Sequence, residues 1–384
     1  MQTLNETRTL ELSAAAASEA MPSPVRACFL IDDLAAAGTE TQLLALIARL
    51  DRARVQPYLC LLRGQSQTSR ALEPDDCTVW RLEVGSLCRP ATLVQAMRFI
   101  HFLRRERIDV MQAYFPDSSY FGLPAAWLAG VPHRLRTRNN LGHWLTPLHR
   151  WLGRLLNQVG TGTVVNCGAA RDALVAAEGS STKNVTILAN GVDLERFLAL
   201  PPLSSRIVTI GVAANLRPVK GLDLLLDAAA ILKSDYPDLV CRIAGEGDMR
   251  GVLEESVRQH GLADRFQLLG SVADVPAFLS GLDVAVLPSR SEGMSNALLE
   301  YMAAGRAIVA TAVGAAAELI DDGVQGLLVP PNDPGKLAEA IGRLLKNPGL
   351  ARRMGEAARR RVRERYSREA MVERFTEFYE RLSI

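Results

Sequence analysis

From residue 25 onward the chain alternates short apolar runs with amphipathic stretches of helical length, and it does so in two successive blocks. In the first block, runs at 26–31, 57–62, 78–82, 109–113, 134–137, 162–166 and 185–188 predict strands, with helices such as 39–50, 92–107 and 167–177 between them. The pattern stops over 190–206, where Pro201, Pro202, Ser204 and Ser205 mark a break. It resumes with strands predicted at 207–213, 240–244, 266–269, 283–287, 307–310 and 326–329. The helices of this block are predicted at 222–233, 249–260, 275–279, 296–304, 315–320 and 334–345. Regular alternation of strand and helix implies parallel sheets wrapped by helices. The expected fold class is therefore α/β: two doubly wound domains in tandem, facing across a cleft. They are expected at 25–190 and 206–365, with a linker at 191–205 and a disordered leader at 1–24. A last helix within 366–384 is expected to pack back on the first domain. In open parallel sheets ligands bind beyond the carboxyl ends of the strands, so the cleft is the expected site.

Composition narrows the function. A chain of 384 residues, 48% hydrophobic and 22% charged, can build two ordinary globular cores. A net charge of +2 and only 5% aromatic residues give no footprint for nucleic acid, and none is expected as a partner. The six cysteines form no C-x-x-C pair and read as free thiols, mostly buried. The five histidines are scattered without ligand spacing, so no zinc site is expected; the sequence holds no D-x-D triplet to place a metal on a diphosphate, and neither a metal nor another cofactor is expected. No run approaches the roughly 18 apolar residues a membrane span needs. The first 24 residues hold Glu6, Glu11 and Glu19 and lack the basic start of a signal peptide, which suggests a cytoplasmic location.

Two segments carry chemistry. The stretch 289–305 puts Glu292 in a turn after a predicted strand, and Glu300 eight residues later on the following helix. That helix opens at Ser295-Asn296, and a helix start presents backbone N–H groups to anions. Two carboxylates around an anion site suit a diphosphate flanked by two polyhydroxylated rings. The second segment is the loop 211–221, which puts Arg217 and Lys220 at the carboxyl end of a strand, where a diphosphate needs cations. A solvated basic turn is the plain alternative for the loop alone. Taken together, the two segments predict one site for a nucleotide sugar.

Lys220-Gly221, Gly245-Glu246-Gly247, the run Pro288 to Gly293, Glu300 and Ala304-Gly305 stand in a familiar order. In them the chain resembles the retaining glycosyltransferases of family 4 (glycosyl transferase group 1). Those enzymes have the GT-B fold, two Rossmann-like domains facing across a cleft. The resemblance spans most of 25–382 and is most specific over 207–331. It implies that Arg217 and Lys220 hold the diphosphate and that Glu292 binds hydroxyls of the donor sugar. It implies that backbone amides of Gly293, Met294, Ser295 and Asn296 touch sugar and phosphate, and that Glu300 grips the ribose. It further implies a metal-free transfer in which the acceptor hydroxyl enters from the face the diphosphate leaves. A diphosphate oxygen would take its proton. A UDP-sugar is the favoured donor, and a glycan or lipid-linked sugar of the cell surface the expected acceptor.

The first half fits the family less tightly. Gly38, after the first strand, would let the backbone approach a ligand, or makes an ordinary turn. Asn190-Gly191 matches a motif near the domain junction and equally makes a turn. Asn215 stands where the family usually has Arg, and Gln112-Ala113-Tyr114 where many members have His. Arg138, Asn139 and His143 are the candidates for the acceptor side, with surface or packing roles as the alternative. Within 143–160, Trp144, Leu148, Trp151, Leu152, Leu155, Leu156 and Val159 recur at helical spacing. Such a stripe predicts a core face first, and a helix lying on a membrane, in peripheral contact, second. The arginine run of 352–365 predicts a solvated helix face, with attraction to anionic lipid as the alternative. Two other functions are compatible with the cleft: a nucleotide-sugar 2-epimerase, and a non-catalytic subunit that binds sugar nucleotides.

Overall fold

The computed structural model describes residues 23–142, 145–203 and 206–383. Almost all of the expected leader, together with His143, Trp144, Ser204 and Ser205, lies outside the described residues. The first block forms β1 (Val25–Ile31), α1 (Gly38–Arg49), β2 (Val55–Leu61), α2 (Gln67–Ala71), β3 (Thr78–Arg81), α3 (Ala91–Arg105) and β4 (Val110–Tyr114). It continues with α4 (Pro116–Ala129), β5 (His133–Arg138), α5 (Pro147–Val159), β6 (Gly162–Val165), α6 (Gly168–Glu178) and β7 (Val185–Ile187). The second block forms β8 (Thr209–Ala213), α7 (Leu222–Leu232), β9 (Val240–Ala244), α8 (Arg250–Gln259), β10 (Phe266–Gly270), α9 (Val275–Ser280) and β11 (Val284–Leu287). After it come α10 (Asn296–Ala303), β12 (Ala307–Thr311), α11 (Ala316–Leu319), β13 (Leu327–Val329), α12 (Pro334–Lys346), α13 (Pro348–Arg365) and α14 (Arg368–Ser383).

The strands assemble into two sheets whose pairs are all parallel, in the orders β3-β2-β1-β4-β5-β6-β7 and β10-β9-β8-β11-β12-β13. In each sheet the first strand has neighbours from both directions: β1 between β2 and β4, and β8 between β9 and β11. This reversal opens a crevice at the carboxyl ends of those strands. Every residue of β11 is buried, as a central strand covered on both faces requires. Element ends shift where side chains intervene. The β8 strand starts at Thr209 rather than 207, because the Asp283 carboxylate takes the amides of Val208 and Thr209 at 2.9 Å. The penultimate helix begins at Pro348, whose missing N–H suits a first helical turn, ahead of the arginine run of 352–365.

Helix α14 returns to the first sheet and packs on α1, β1 and β2. Tyr379 is fully buried there and donates to Gln112 Oε1 at 2.7 Å. A further core is continuous across the domain junction: Val165, Cys167 and Leu174 of the first domain join Leu299, Met302 and Ile308 of the second.

Two sequence expectations need correction. The stripe on α5 is a core face only in part: Leu156 is buried and Val159 packs on the same core, whereas Leu148, Trp151 and Leu155 are 60%, 55% and 40% exposed. The helix turns Gly153 inward as well. A side chain at 153 would strike the Glu178 carboxylate at 2.4 Å, so the glycine lets α5 lie against the end of α6 and sets its rotation. The arginine run is not simply solvated. Arg359 donates to the Phe197 carbonyl, and Arg361 pairs with Asp321 and donates to the Glu318 carbonyl, fastening α13 to its surroundings. Among the described residues no helix is long and apolar enough to cross a membrane.

Candidate active site

The loop leaving β8 folds into a single 3-10 turn, Pro218–Lys220. Arg290 braces this turn from the neighbouring strand end. Its amide donates to the Val219 carbonyl at 2.8 Å, and its guanidinium to the Pro218 carbonyl at 2.9 Å. Arg290 also grips Asp223 with both nitrogens, at 2.8 and 2.6 Å. That hydrogen bonding holds the Asp223 carboxyl below its usual value. Arg290 is thus a brace for the cationic loop, and its charge is met by Asp223.

Lys220 projects toward the turn after β11, where Nζ meets Glu292 Oε1 at 2.7 Å. The same oxygen accepts from Ser289 Oγ at 2.8 Å. Ser289 is buried, and its carbonyl accepts from Thr311 Oγ1 at 2.6 Å, so the partner that orients Glu292 is itself fixed. Both donors use Oε1; among the described residues Oε2 accepts no hydrogen bond. Arg217 is exposed on the same loop and, among the described residues, forms no ion pair. A cation and a carboxylate held in contact at the carboxyl ends of β8 and β11 form a polar floor for a charged, hydroxylated ligand.

This floor belongs to a cavity of about 600 Å³ between the domains, a size suited to a small-molecule ligand. Its second-domain wall includes Asn215, Arg217, Lys220, Glu292 and Gly293; Gly38, Arg138 and Asn139 stand in the first-domain wall. The two walls meet closely at Gly293, where a Cβ would lie 2.3 Å from the Asn139 carbonyl oxygen. Only glycine permits that approach.

Other expected residues sit elsewhere. Ser295 caps α10 through a hydrogen bond from the Leu298 amide. The Asn296 side chain spans the domain junction. Its Oδ1 accepts from Gln42 at 3.1 Å and from Asn190 at 2.8 Å, and its Nδ2 donates to the Gly38 carbonyl at 3.0 Å. Asn190 also engages Met294, through the Met294 carbonyl at 3.3 Å and sulfur at 3.2 Å. Asn190, Met294, Ser295 and Asn296 therefore lie at the domain junction and are not among the residues lining the cavity. Glu300 does not line it either. It is half-buried on α10 itself, and desolvation raises its carboxyl above the usual value against the opposing pull of Arg196 and Arg368. His143 lies outside the described residues.

Sequence reading missed Ser289, Gln42, Arg136 and Glu178. Ser289 was quoted in the motif, yet nothing local shows that its hydroxyl aims at Glu292. Arg136 and Glu178 also line the cavity, but they are separated by α5 and β6, and only the fold brings them together.

Comparison with known proteins covers both halves of this cleft. Residues 37–191 match the family described as a glycosyl transferase 4-like domain, and residues 204–361 match glycosyl transferases group 1. An α-D-kanosaminyltransferase of Streptomyces kanamyceticus is 34% identical over 167 residues, 43% of this chain and 43% of that one. A lipopolysaccharide core biosynthesis mannosyltransferase of Rhizobium leguminosarum bv. viciae is 29% identical over 305 residues, 66% of this chain and 86% of that one. The chain spans about half the length of several curated relatives it matches. Among solved structures, Anabaena HepE in complex with UDP has a TM-score of 0.80 at 19% identity, covering 93% of this chain and 100% of that one; this likeness is one of fold. The two family matches together take in most of the chain and both walls of the cavity, and the chain belongs to the glycosyl transferase group 1 family, with the GT-B fold.

Proposed function

We propose that this protein transfers a sugar, with retention of anomeric configuration and without a metal, from a nucleotide-sugar donor to a glycan or lipid-linked acceptor. A UDP-sugar is the favoured donor, since HepE was solved with UDP and with UDP-glucose. The observation that carries the reading is the Lys220–Glu292 contact on the cavity floor, with Arg217 beside it. Departure of a nucleoside diphosphate leaves two negative charges to stabilise. Lys220 and Arg217, with the backbone amide of Gly293 beside them in the cavity wall, supply that stabilisation as charge develops. Diphosphate binding draws Lys220 toward the anion. Glu292, still held by Ser289, then presents its carboxylate to hydroxyls of the sugar and fixes the anomeric carbon against the acceptor. The acceptor hydroxyl enters on the face the diphosphate leaves and gives its proton to a diphosphate oxygen. Two domains meeting over the cavity exclude water and limit hydrolysis of the donor.

The test uses water as a poor substitute acceptor. Chelator-treated protein is incubated with UDP-, GDP- and ADP-linked sugars, and the first anomer released is read by proton NMR. The α-anomer appearing first from an α-linked donor, at a rate unchanged by EDTA, is the expected result. A β-anomer first contradicts retention, loss of turnover in EDTA contradicts metal independence, and no release from any donor contradicts the transferase reading.

A membrane-facing role for α5 belongs to the same proposal. Its outer face carries exposed Leu148, Trp151 and Leu155 beside exposed Arg150 and Arg154, the pattern of a helix seated at an anionic lipid surface. Its inner face, through His149, Gly153 and Leu156, lines the cavity. A lipid-linked acceptor held at that surface would reach the cleft directly.

A further inference from the structure

Arg290 stands two residues before Glu292, in a loop where a cation invites assignment as a phosphate ligand. Its position and its hydrogen bonds argue against that. Ser291 and Glu292 line the cavity, and Arg290 does not. A guanidinium carries five N–H donors. Nε of Arg290 donates to Asn332 Oδ1 at 2.9 Å. Nη1 donates to the Pro218 carbonyl at 2.9 Å and to Asp223 Oδ1 at 2.8 Å, and Nη2 donates to Asp223 Oδ2 at 2.6 Å. Among the described residues one N–H is left, too little for the forked grip that arginine makes on a phosphate.

These partners come from separate pieces of the second domain. Pro218 belongs to the turn that carries Lys220, Asp223 to the first turn of α7, and Asn332 to the loop leaving β13. The Arg290 amide adds its bond to the Val219 carbonyl of the same turn. Asn332 has a φ of 60°, a conformation that asparagine adopts more readily than most residues, and it directs its side-chain oxygen at Arg290. The far end of the turn is pinned as well. Gly221 has a φ of 62°, and a Cβ there would lie 2.1 Å from the Pro288 carbonyl oxygen. The turn therefore sits on the loop leaving β11, fixed at Pro288 and at Arg290.

Two side-chain ties join the turn to that loop: Lys220 to Glu292, and Arg290 to Pro218. In the proposed function the first is given up, because the diphosphate draws Lys220 away from Glu292. The second involves no ligand atom and persists. The Arg290 and Asp223 side chains are 32% and 47% exposed, and ion pairs so open to water contribute little to global stability. Their effect is local, on the turn they hold.

We infer that Arg290, with Asp223 and Asn332, is a positioning unit that keeps the Arg217–Lys220 turn in its binding conformation once Lys220 has left Glu292, and that Arg290 does not itself bind the diphosphate. The role in ligand binding rests on the donor reading above; the bracing of the turn does not.

The experiment combines calorimetric titration with UDP and backbone hydrogen exchange of the ligand-free protein over 217–221. It uses the full chain as wild type, Arg290→Gln, Arg290→Lys, Asp223→Asn and Asn332→Gly, with Lys220→Ala alone and combined with Arg290→Gln. Arg290→Gln should speed exchange of the 219–221 amides and weaken UDP, each about tenfold, with a melting temperature near wild type. Arg290→Lys should behave as Arg290→Gln does, because one ammonium keeps the charge but cannot reach the same set of acceptors. Asp223→Asn and Asn332→Gly should move both readouts the same way by less, and they carry the test if Arg290→Gln does not fold. In the Lys220→Ala background, Arg290→Gln should weaken UDP by no more than about threefold, since the turn has lost the lysine it presents. Equal losses in the two backgrounds, or wild-type UDP affinity in Arg290→Lys, overturn the inference by making the Arg290 charge a direct ligand. Unchanged exchange in Arg290→Gln overturns it, as does faster exchange with UDP affinity intact. If UDP fails to bind wild type, the donor reading fails, and the brace is judged from the exchange rates alone.

Discussion

Glu292 and Lys220 illustrate how far single residues can be read from sequence. Their types and spacing pointed to a donor site, yet their mutual contact and the Ser289 hydrogen bond are tertiary facts. Arg138 was a candidate from its position, but its meeting with Arg136 and Glu178 left no local trace, because the three come together only once β5 and α6 are packed. Glu300 offers a test at this scale. Its carboxyl is raised by burial, so the folded protein holds that proton more tightly than the unfolded chain. Folding stability contributed by the protonated group is full below the usual value of 4.5 and is lost as pH rises through the raised folded value. Thermal melts should therefore show Glu300→Gln matching wild type at acid pH and exceeding it toward neutrality. If Glu300 also grips the ribose, the same variant should bind UDP about tenfold to a hundredfold more weakly, the worth of a hydrogen bond to a charged group. A variant less stable than wild type at neutral pH would show that the pull of Arg196 and Arg368 outweighs burial.

At the scale of elements the alternation of apolar runs and helices was almost fully legible. The parallel-sheet pattern leaves a strong signal because its strands are buried on both faces. Ends moved where side chains took over backbone partners, as Asp283 does ahead of β8. What periodicity could not give was which side of an amphipathic helix faces protein. On α5 the apolar stripe suggested a core, whereas with Gly153 pressed against Glu178 only Leu156 and Val159 meet the core and Leu148, Trp151 and Leu155 face outward. The exposed face makes a prediction. Wild type should cosediment with vesicles containing anionic phospholipid, and less so with zwitterionic vesicles or at high salt. Replacing Leu148, Trp151 and Leu155 together by Ser should release it. Each buried side chain contributes about 1.5–3 kcal/mol, so partitioning should fall at least a hundredfold. Equal sedimentation of the triple variant and wild type would remove the membrane role from α5.

For the whole molecule, the decisive property is that two doubly wound domains share one cavity and are tied beside it. The Asn296 side chain joins the second domain to Gly38, Gln42 and Asn190. On another side Glu318 accepts from the amides of Gly168 and Ala169 at 3.2 Å, so a second-domain carboxylate caps the first-domain helix α6. The domain pattern was visible in the sequence, but these ties were not, since their partners are 106 to 258 residues apart. The return of α14 to the first sheet likewise depends on burying Tyr379 against Gln112, a contact across 267 residues. In the proposed function the second-domain wall divides its labour, Lys220 for diphosphate and Glu292 for sugar. The most direct measurement is calorimetry of UDP and UDP-glucose binding in EDTA, on wild type, Lys220→Ala and Glu292→Gln. Lys220→Ala should weaken both ligands about tenfold to a hundredfold, as loss of a charge-assisted hydrogen bond implies. Glu292→Gln should weaken UDP-glucose alone and leave UDP unchanged or tighter, because Lys220 is then released to the phosphates. Both variants binding both ligands as wild type does, or Glu292→Gln losing UDP and UDP-glucose equally, would contradict it.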